Sequence, residues 1–148
     1  MADNAAFSMK RPDAVSVWHL QAWPGGKGAL HSAVAGTDAI NVAPGRYWLI
    51  GGDGVNYDDA IAVTDISDSL VCFLLSGESV RDVLSKGLPI DIDAREFSDG
   101  ACATSMIEGI TATVLRRGES FDVYCNRSYA SSLEHWFKQA SREFVSGG

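Results

Sequence analysis

The amino-acid sequence predicts an α+β fold, with antiparallel sheet and helices packed on one face. Three β-type runs follow one another directly, "ACATSMI", "ITATVLRR" and "SFDVYCN", and short Gly-containing turns separate them. Such turns join antiparallel strands, because a parallel crossover needs a dozen or more residues. The chain ends in a strongly amphipathic helix. The predicted order, β-α-β-β-β-α-β-β-β-α, therefore indicates antiparallel sheet with segregated helices.

The composition is that of a globular protein. The chain has 148 residues, of which 46% are hydrophobic and 21% are charged. We predict one domain over residues 15–145, with two small subdomains as the alternative. Residues 1–14 are predicted to be a flexible or partner-docked tail, and residues 146–148 a second tail. No apolar run approaches the ~20 residues of a transmembrane helix, and no signal-peptide core precedes the domain. We therefore expect a cytoplasmic protein.

The net charge argues against nucleic acid and membranes as partners, and the cysteine and histidine spacing argues against a metal site. The formal net charge is −7, which argues against nucleic acid or an anionic membrane as a partner. Cys72, Cys102 and Cys125 form no close Cys-x-x-Cys pair, and no two histidines have the helical spacing of a metal site. The cysteines lie in apolar, strand-like contexts and are expected to be structural. No metal is expected on this chain.

The first half of the chain reads mainly as strands. "VSVWHLQAW" and "GRYWLIGG" have strand character, and "ALHSAVAG" between them is predicted to form two helical turns. "AIAVTDIS" and "SLVCFLLSG" are predicted to be a hairpin or one long kinked strand. The second of these runs is continuously apolar, which is typical of a central strand covered on both faces.

Two helices are predicted in the second half. Val80, Val83 and Leu84 form an apolar stripe of a short helix that Gly87 ends. The C-terminal helix has a broader stripe, made up of Tyr129, Leu133, Trp136, Phe137, Ala140 and Phe144. Ser128 is predicted to be its N-cap, with a capping box from Ser131 to Glu134 one turn later.

The candidate catalytic residues lie in the charged stretch between the two helices. Asp91 and Asp93 would point to the same side of an extended segment, where paired carboxylates can perform acid–base chemistry if they are buried. The alternative, which we favour, is that Asp91 caps a turn and Asp93 faces solvent. Arg127 is a candidate anion ligand at a helix start, or else a local or interface pairing residue. No catalytic constellation emerges.

Several of these segments together resemble the γ subunit of heterotetrameric sarcosine oxidases. The resemblance spans about residues 44–144, and Val80 and Ser105 depart from the family pattern. The matching residues are Leu75-Ser76-Gly77, Arg81-Asp82-Val83-Leu84, Gly87-Leu88-Pro89-Ile90-Asp91, Phe97, Gly100, Cys102-Ala103, Arg127-Ser128-Tyr129-Ala130 and Trp136.

The resemblance implies a fold like the folate-binding domain of glycine-cleavage T-proteins. It also implies a non-catalytic subunit that binds no cofactor itself and packs mainly on the α subunit. The α and β subunits would hold FAD, FMN and NAD, δ would hold zinc, and tetrahydrofolate would also bind to the partner subunits. The complex would demethylate sarcosine or a related N-methyl amino acid and pass the one-carbon unit to tetrahydrofolate.

Family-motif or interface residues follow from the same resemblance. The candidates are Arg81, Asp91, Arg127, Ser128 and Trp136. The aromatic residues Trp18, Trp23 and Tyr47 are further candidate interface anchors. The alternative function is a stand-alone folate-binding or aminomethyl-transfer module in which Asp91 binds the pterin. A small enzyme built on Asp91 and Asp93 is a third hypothesis.

Overall fold

The computed structural model describes residues 6–22, 38–43, 45–51, 60–93 and 95–144. Its strands are β1 (Ser8–Lys10), β2 (Val17–Ala22), β3 (Asp38–Ala43), β4 (Arg46–Ile50), β5 (Ala60–Asp65), β6 (Leu70–Ser76), β7 (Cys102–Ile107), β8 (Ile110–Arg117) and β9 (Ser120–Asn126), and its helices are α1 (Val80–Ser85) and α2 (Ala130–Ala140). The chain divides into two compact units, residues 13–70 and residues 1–12 with 71–148.

The unit of residues 13–70 contains a four-stranded antiparallel sheet in the order β3-β4-β2-β5. Strands β2 and β4 confirm the two predicted from "VSVWHLQAW" and "GRYWLIGG". Leu20 and Leu49 are buried in these central strands. β3 is not predicted from sequence, because its short run "DAINVA" lacks an alternating pattern. The helix predicted in "ALHSAVAG" lies outside the described residues, as does Trp23.

The other unit contains a five-stranded sheet in the order β1-β6-β9-β8-β7. β7, β8 and β9 form the predicted antiparallel meander. β1 pairs antiparallel with β6, with Ser8 opposite Ser76. The tail predicted over residues 1–14 therefore contains a strand at residues 8–10. Phe7 is buried in the core and anchors this strand.

The predicted hairpin or kinked strand formed by "AIAVTDIS" and "SLVCFLLSG" is wrong. β5 pairs with β2 in one sheet, whereas β6 lies between β1 and β9 in the other. A 3-10 turn over Ser67–Ser69 separates them, and the Asp65 carboxylate accepts the Ser67 N–H at 2.9 Å. Leu70 to Phe73 are all buried, as predicted for a strand covered on both faces.

Both helices pack against the five-stranded sheet, which confirms the predicted α+β class. Alternate residues of β6, β8 and β9 face the apolar stripes of α1 and α2, and burial of each large side chain contributes roughly 1.5–3 kcal/mol. The members of this core include Val71, Phe73, Leu75, Val80, Val83, Leu84, Val114, Phe121, Val123, Leu133 and Phe137. In the parts of the chain that the structure describes, no helix is long and apolar enough to cross a membrane.

The prediction that Tyr129 belongs to the apolar stripe of the C-terminal helix is wrong. Tyr129 belongs to a 3-10 turn before α2 and is 52% exposed. The other predicted stripe residues of α2 are buried or half-buried. β7 and β8 are joined by Glu108 and Gly109, both with positive φ (50° and 80°). Two such residues are typical of a type I′ hairpin turn, which favours glycine at the second position.

Candidate functional site

The charged stretch that the sequence singled out forms an irregular segment between α1 and β7. We call residues 88–100 the charged bend. Among its described residues, Leu88, Ile92 and Phe97 are buried and belong to the core of the unit. Phe97 stacks on Phe121 with ring centroids 6.3 Å apart. Apolar side chains thus hold the bend against the sheet, while the charged residues between them are exposed.

Asp91 and Asp93 form consecutive turns in the charged bend. The Asp91 carboxylate accepts the Asp93 N–H at 2.9 Å, and the Asp93 carboxylate accepts the Arg95 N–H at 2.9 Å. This side chain-to-backbone pattern is that of Asx turns. The structure therefore places Asp91 in the turn-capping position, and both carboxylates are exposed.

The surroundings of Asp93 favour its ionised form. Hydrogen bonds from the N–H and guanidinium of Arg95 hold the pKa of Asp93 below its ordinary value. A general acid needs the opposite shift, because it must keep its proton near neutral pH. The geometry gives no support to acid–base chemistry by the Asp91 and Asp93 pair.

Arg81 fastens the first half of the charged bend to the sheet. Its Nε donates to the Ile92 carbonyl at 3.2 Å, and its Nη1 donates to Glu119 Oε2 at 2.9 Å. The guanidinium carbon lies 5.3 Å from the centroid of the Phe121 ring, a favourable cation–π distance. The Arg81 Nη2 is buried and has no hydrogen-bond partner among the described residues.

Arg116 fastens the second half of the charged bend. It is 9% exposed, and its Nη1 donates to the Phe97 carbonyl at 2.7 Å while its Nε donates to the Gly118 carbonyl at 2.6 Å. Its Nη2 also reaches Glu119 Oε1 at 3.3 Å. Glu119 therefore bridges the two arginines, and we call Arg81, Arg116 and Glu119 the arginine clamp.

The electrostatics of the arginine clamp favour an ionised Glu119. Arg81, and to a smaller extent Arg116, hold the pKa of Glu119 below its ordinary value. The clamp thus has its positive charges directed at main-chain carbonyls of the bend and at one carboxylate. This arrangement fixes the shape of the charged bend and contains no nucleophile or proton acceptor poised for a reaction.

The prediction that Ser128 is the N-cap of the C-terminal helix is wrong. Asn126 Oδ1 accepts the Ser128 N–H at 2.9 Å and the Ser128 hydroxyl at 2.6 Å. Asn126 therefore caps the 3-10 turn that leads into the helix, and Ser128 is not the N-cap. Asn is as good an N-cap as Ser, and its extended backbone at the end of β9 places its side chain over the turn. Arg127 and Ser128 are exposed.

Trp136 joins α2 to the end of α1. A Cβ added to Gly87 would lie 2.6 Å from Cζ2 of the Trp136 ring, so a larger residue at this position would force the indole to shift. Beside this contact, Lys86 Nζ donates to the Ala140 carbonyl at 2.8 Å and pairs with Glu143. Trp136 is half-buried in this packing.

The predicted site residues do not converge on one site. Arg81 clamps the bend that carries Asp91, Arg127 and Ser128 precede α2, and Trp136 packs on Gly87. The sequence search missed Arg116 and Glu119. Strand periodicity could have identified Arg116, because it shares the core-facing side of β8 with Ala112 and Val114. A charged residue at such a position needs hydrogen-bond partners.

Cys72 and Cys125 show no sign of reactivity. Burial raises the pKa of Cys72 to about 12 and the pKa of Cys125 to about 11, so both thiols stay protonated at neutral pH. Cys102 is half-buried and, like the other two, not in a disulfide. Within the described ranges, no group of three or more His, Cys, Asp or Glu residues is placed to hold a metal ion.

The fold defines a class: an α+β protein with two antiparallel sheets and helices on one face of the larger sheet. Among solved structures, the chain is similar to one in the heterotetrameric sarcosine oxidase from Corynebacterium sp. U-96, in complex with pyrrole 2-carboxylate. The two chains are 20% identical with a TM-score of 0.83, and the match covers 98% of this chain and 88% of the other. At this identity the likeness shows the fold. No protein-family model and no curated protein matches the chain.

Proposed function

We propose that this chain is a non-catalytic accessory subunit, of the γ type, in a heterotetrameric complex like sarcosine oxidase. The observation that carries the proposal is the fold likeness to a chain of such an oxidase over 98% of this chain. The resemblance of the Arg81, charged-bend and Arg127–Trp136 segments to the γ subunit supports the same assignment.

The use of the charged residues supports an accessory role. Arg81, Arg116 and Glu119 hold the charged bend, and Asp91 and Asp93 cap its turns. In this proposal the chemistry belongs to partner chains, with FAD, FMN and NAD in α and β, tetrahydrofolate accepting the one-carbon unit, and zinc in δ. The substrate is sarcosine or a related N-methyl amino acid, and the complex is cytoplasmic.

The geometry at Asp91 weighs against the stand-alone folate-binding alternative. A carboxylate that recognises a pterin ring in a pocket is enclosed by apolar side chains. Asp91 is instead exposed and already accepts the Asp93 N–H. We therefore assign Asp91 to the turn and expect Asp91→Asn to leave tetrahydrofolate-dependent activity of the complex unchanged.

The test is expression of this chain alone and together with the flavoprotein chains of the proposed complex. We expect the isolated chain to lack flavin absorbance and N-methyl amine oxidation, and to co-purify with the flavoprotein when both are expressed. Activity and yield of the complex should fall when this chain is omitted. A monomeric chain that oxidises an N-methyl amine without partners would refute the proposal, as would failure to bind the flavoprotein.

A further inference from the structure

The two edge strands of the five-stranded sheet differ in how they are protected against pairing with a further strand. The β1 edge is three residues long and ends at the exposed Lys10, and short length and lysine both discourage further pairing. The β7 edge is six residues long, has no proline or charged residue, and keeps an unbroken register with β8 from Cys102 to Ile107. β7 itself thus carries neither the proline nor the charged side chain that commonly stops an edge strand from pairing.

The backbone groups on the outer side of β7 can be identified from the register. The Arg116 N–H donates to the Ala101 carbonyl at 2.9 Å, and the two-residue turn is closed by Ile107 opposite Ile110. Because hydrogen-bonded pairs alternate along an antiparallel ladder, the main-chain groups of Thr104 and Met106 point away from β8. Among the described residues, no strand lies on that side of β7.

The side chains around this edge suit a second strand. Thr104 is exposed and Met106 is 50% exposed, and they share the sheet face opposite the helices. Ala103 and Ser105 on the other face are small. An added strand would find main-chain partners along the edge and one apolar side chain to cover, which is the arrangement of β-strand addition.

Charge indicates whether the strand that pairs with β7 comes from a second copy of this chain or from a different protein. Asp99 and Glu108 are exposed carboxylates at the two ends of β7. A second copy paired antiparallel with Thr104 opposite Thr104 would place Glu108 of each copy beside Asp99 of the other. With a net charge of −7 on each chain, such pairing is repulsive at both ends. A strand that is uncharged in its centre and has Lys or Arg at its ends fits instead.

We propose that the outer edge of β7 at Thr104 and Met106 receives an extended segment of a partner subunit by strand addition, with basic residues flanking that segment. The inference rests on the proposed function, since the partner is the flavoprotein chain of the complex. It goes further by naming the docking edge and the chemistry of the partner segment.

The test compares the complex with the isolated chain and uses two variants. Hydrogen–deuterium exchange should slow by roughly tenfold or more at the Thr104 and Met106 amides when the complex forms. Thr104→Pro removes the outward N–H and should weaken binding of the flavoprotein chain by roughly tenfold or more. Proline is tolerated at an outward-facing edge position, and circular dichroism of the variant checks that it folds.

Thr104→Val is the matched control. The Thr104 hydroxyl is hydrogen-bonded to the Thr113 hydroxyl at 2.9 Å, and both substitutions remove this bond. Thr104→Val keeps the backbone N–H, so it should bind the flavoprotein as the unmodified chain does. The exchange measurement on the unmodified complex stands independently of whether Thr104→Pro folds.

The outcomes separate this inference from the proposed function. Binding of the flavoprotein with unprotected Thr104 and Met106 amides, and equal binding by Thr104→Pro, would overturn the edge assignment and leave the accessory role intact. Absence of any binding by the unmodified chain would overturn both. Protection of the same amides in a dimer of the isolated chain would show that a second copy, and not a partner strand, occupies the edge.

Discussion

Arg116 illustrates how single residues hold the charged bend. It occupies a core-facing position of β8, where an unpaired guanidinium would be very costly, because the charge is removed from water. Its donors reach the Phe97 and Gly118 carbonyls, so the same contacts that satisfy the charge also fix the bend. Sequence periodicity places Arg116 on the core face, but the sequence does not say which distant carbonyls satisfy it.

Removal of this side chain should destabilise the fold. Arg116→Met keeps much of the buried aliphatic volume but removes the donors of the buried Phe97 carbonyl and the part-buried Gly118 carbonyl, at a cost of about 2–4 kcal/mol in the free energy of unfolding. Arg95→Met is the control, because Arg95 is exposed and pairs only weakly with Asp93, and we expect a change within about 0.5 kcal/mol. Urea denaturation measures both variants. Equal stability of the two would show that the clamp does not hold the bend.

Glu119 should make stability depend on pH. Because the arginines lower its pKa in the folded state from the ordinary value of 4.5, ionised Glu119 stabilises the folded chain above that value. The contribution is lost as the pH falls through the lowered pKa, where the folded state also takes up the proton. Glu119→Gln should therefore be less stable than the unmodified chain near neutral pH and equal to it in acid. Denaturation curves across this range measure the difference, and a difference that does not change with pH would contradict the assignment.

At the scale of elements, the start of α2 shows a cap that sequence reasoning misplaced. Asn126 and Ser128 are both good capping residues two positions apart, and sequence preference alone does not separate them. The end of β9 decides the matter, since its extended backbone brings Asn126 over the first turn. Periodicity did predict the buried face of α2, because Leu133, Phe137 and Ala140 depend on local spacing.

Substitution of the two residues tests the corrected cap. Asn126→Ala removes the acceptor for the Ser128 N–H and should cost about 1 kcal/mol of stability. Ser128→Ala removes only an exposed hydroxyl that donates to the same Asn126 oxygen, and should cost a few tenths of a kcal/mol at most. Thermal denaturation distinguishes the two, and a larger loss in Ser128→Ala would restore Ser128 as the cap.

The contact of α1 with α2 depends on glycine at position 87. Gly87→Ala would place a Cβ within 2.6 Å of the Trp136 ring and 3.0 Å of Ile107, and we expect a loss of about 1–3 kcal/mol from overpacking. Because the strain arises mainly at the indole, Gly87→Ala should cost less in a Trp136→Leu background. Denaturation of the four chains in this cycle measures the coupling, and additive effects would mean that the two residues do not touch.

Sequence and structure agree where pairing is local and differ where it is not. The β7–β8–β9 meander and both helices follow from short turns and periodicity, such as the Glu108–Gly109 turn. The pairing of β1 with β6, and the separation of β5 and β6 into different sheets, join residues far apart in sequence. Local sequence patterns do not predict such long-range pairing. For the same reason the sequence does not predict the hydrogen-bond partners of Arg116.

For the whole molecule, the charges that suggested an active site are used to shape a scaffold. Asp91 and Asp93 cap turns, the arginine clamp binds main-chain carbonyls, and burial raises the pKa of the Cys72 and Cys125 thiols. The fold likeness to a chain of a heterotetrameric oxidase and the use of the charged residues in structure both support the proposal of a partner-dependent subunit.

Native mass spectrometry of the complex purified through a tag on this chain tests that claim most directly. We predict a defined assembly that contains this chain and a larger flavoprotein, with the flavin mass and the N-methyl amine oxidation lost when this chain is released alone. Purification of this chain as a monomer that retains the oxidation activity would contradict the account.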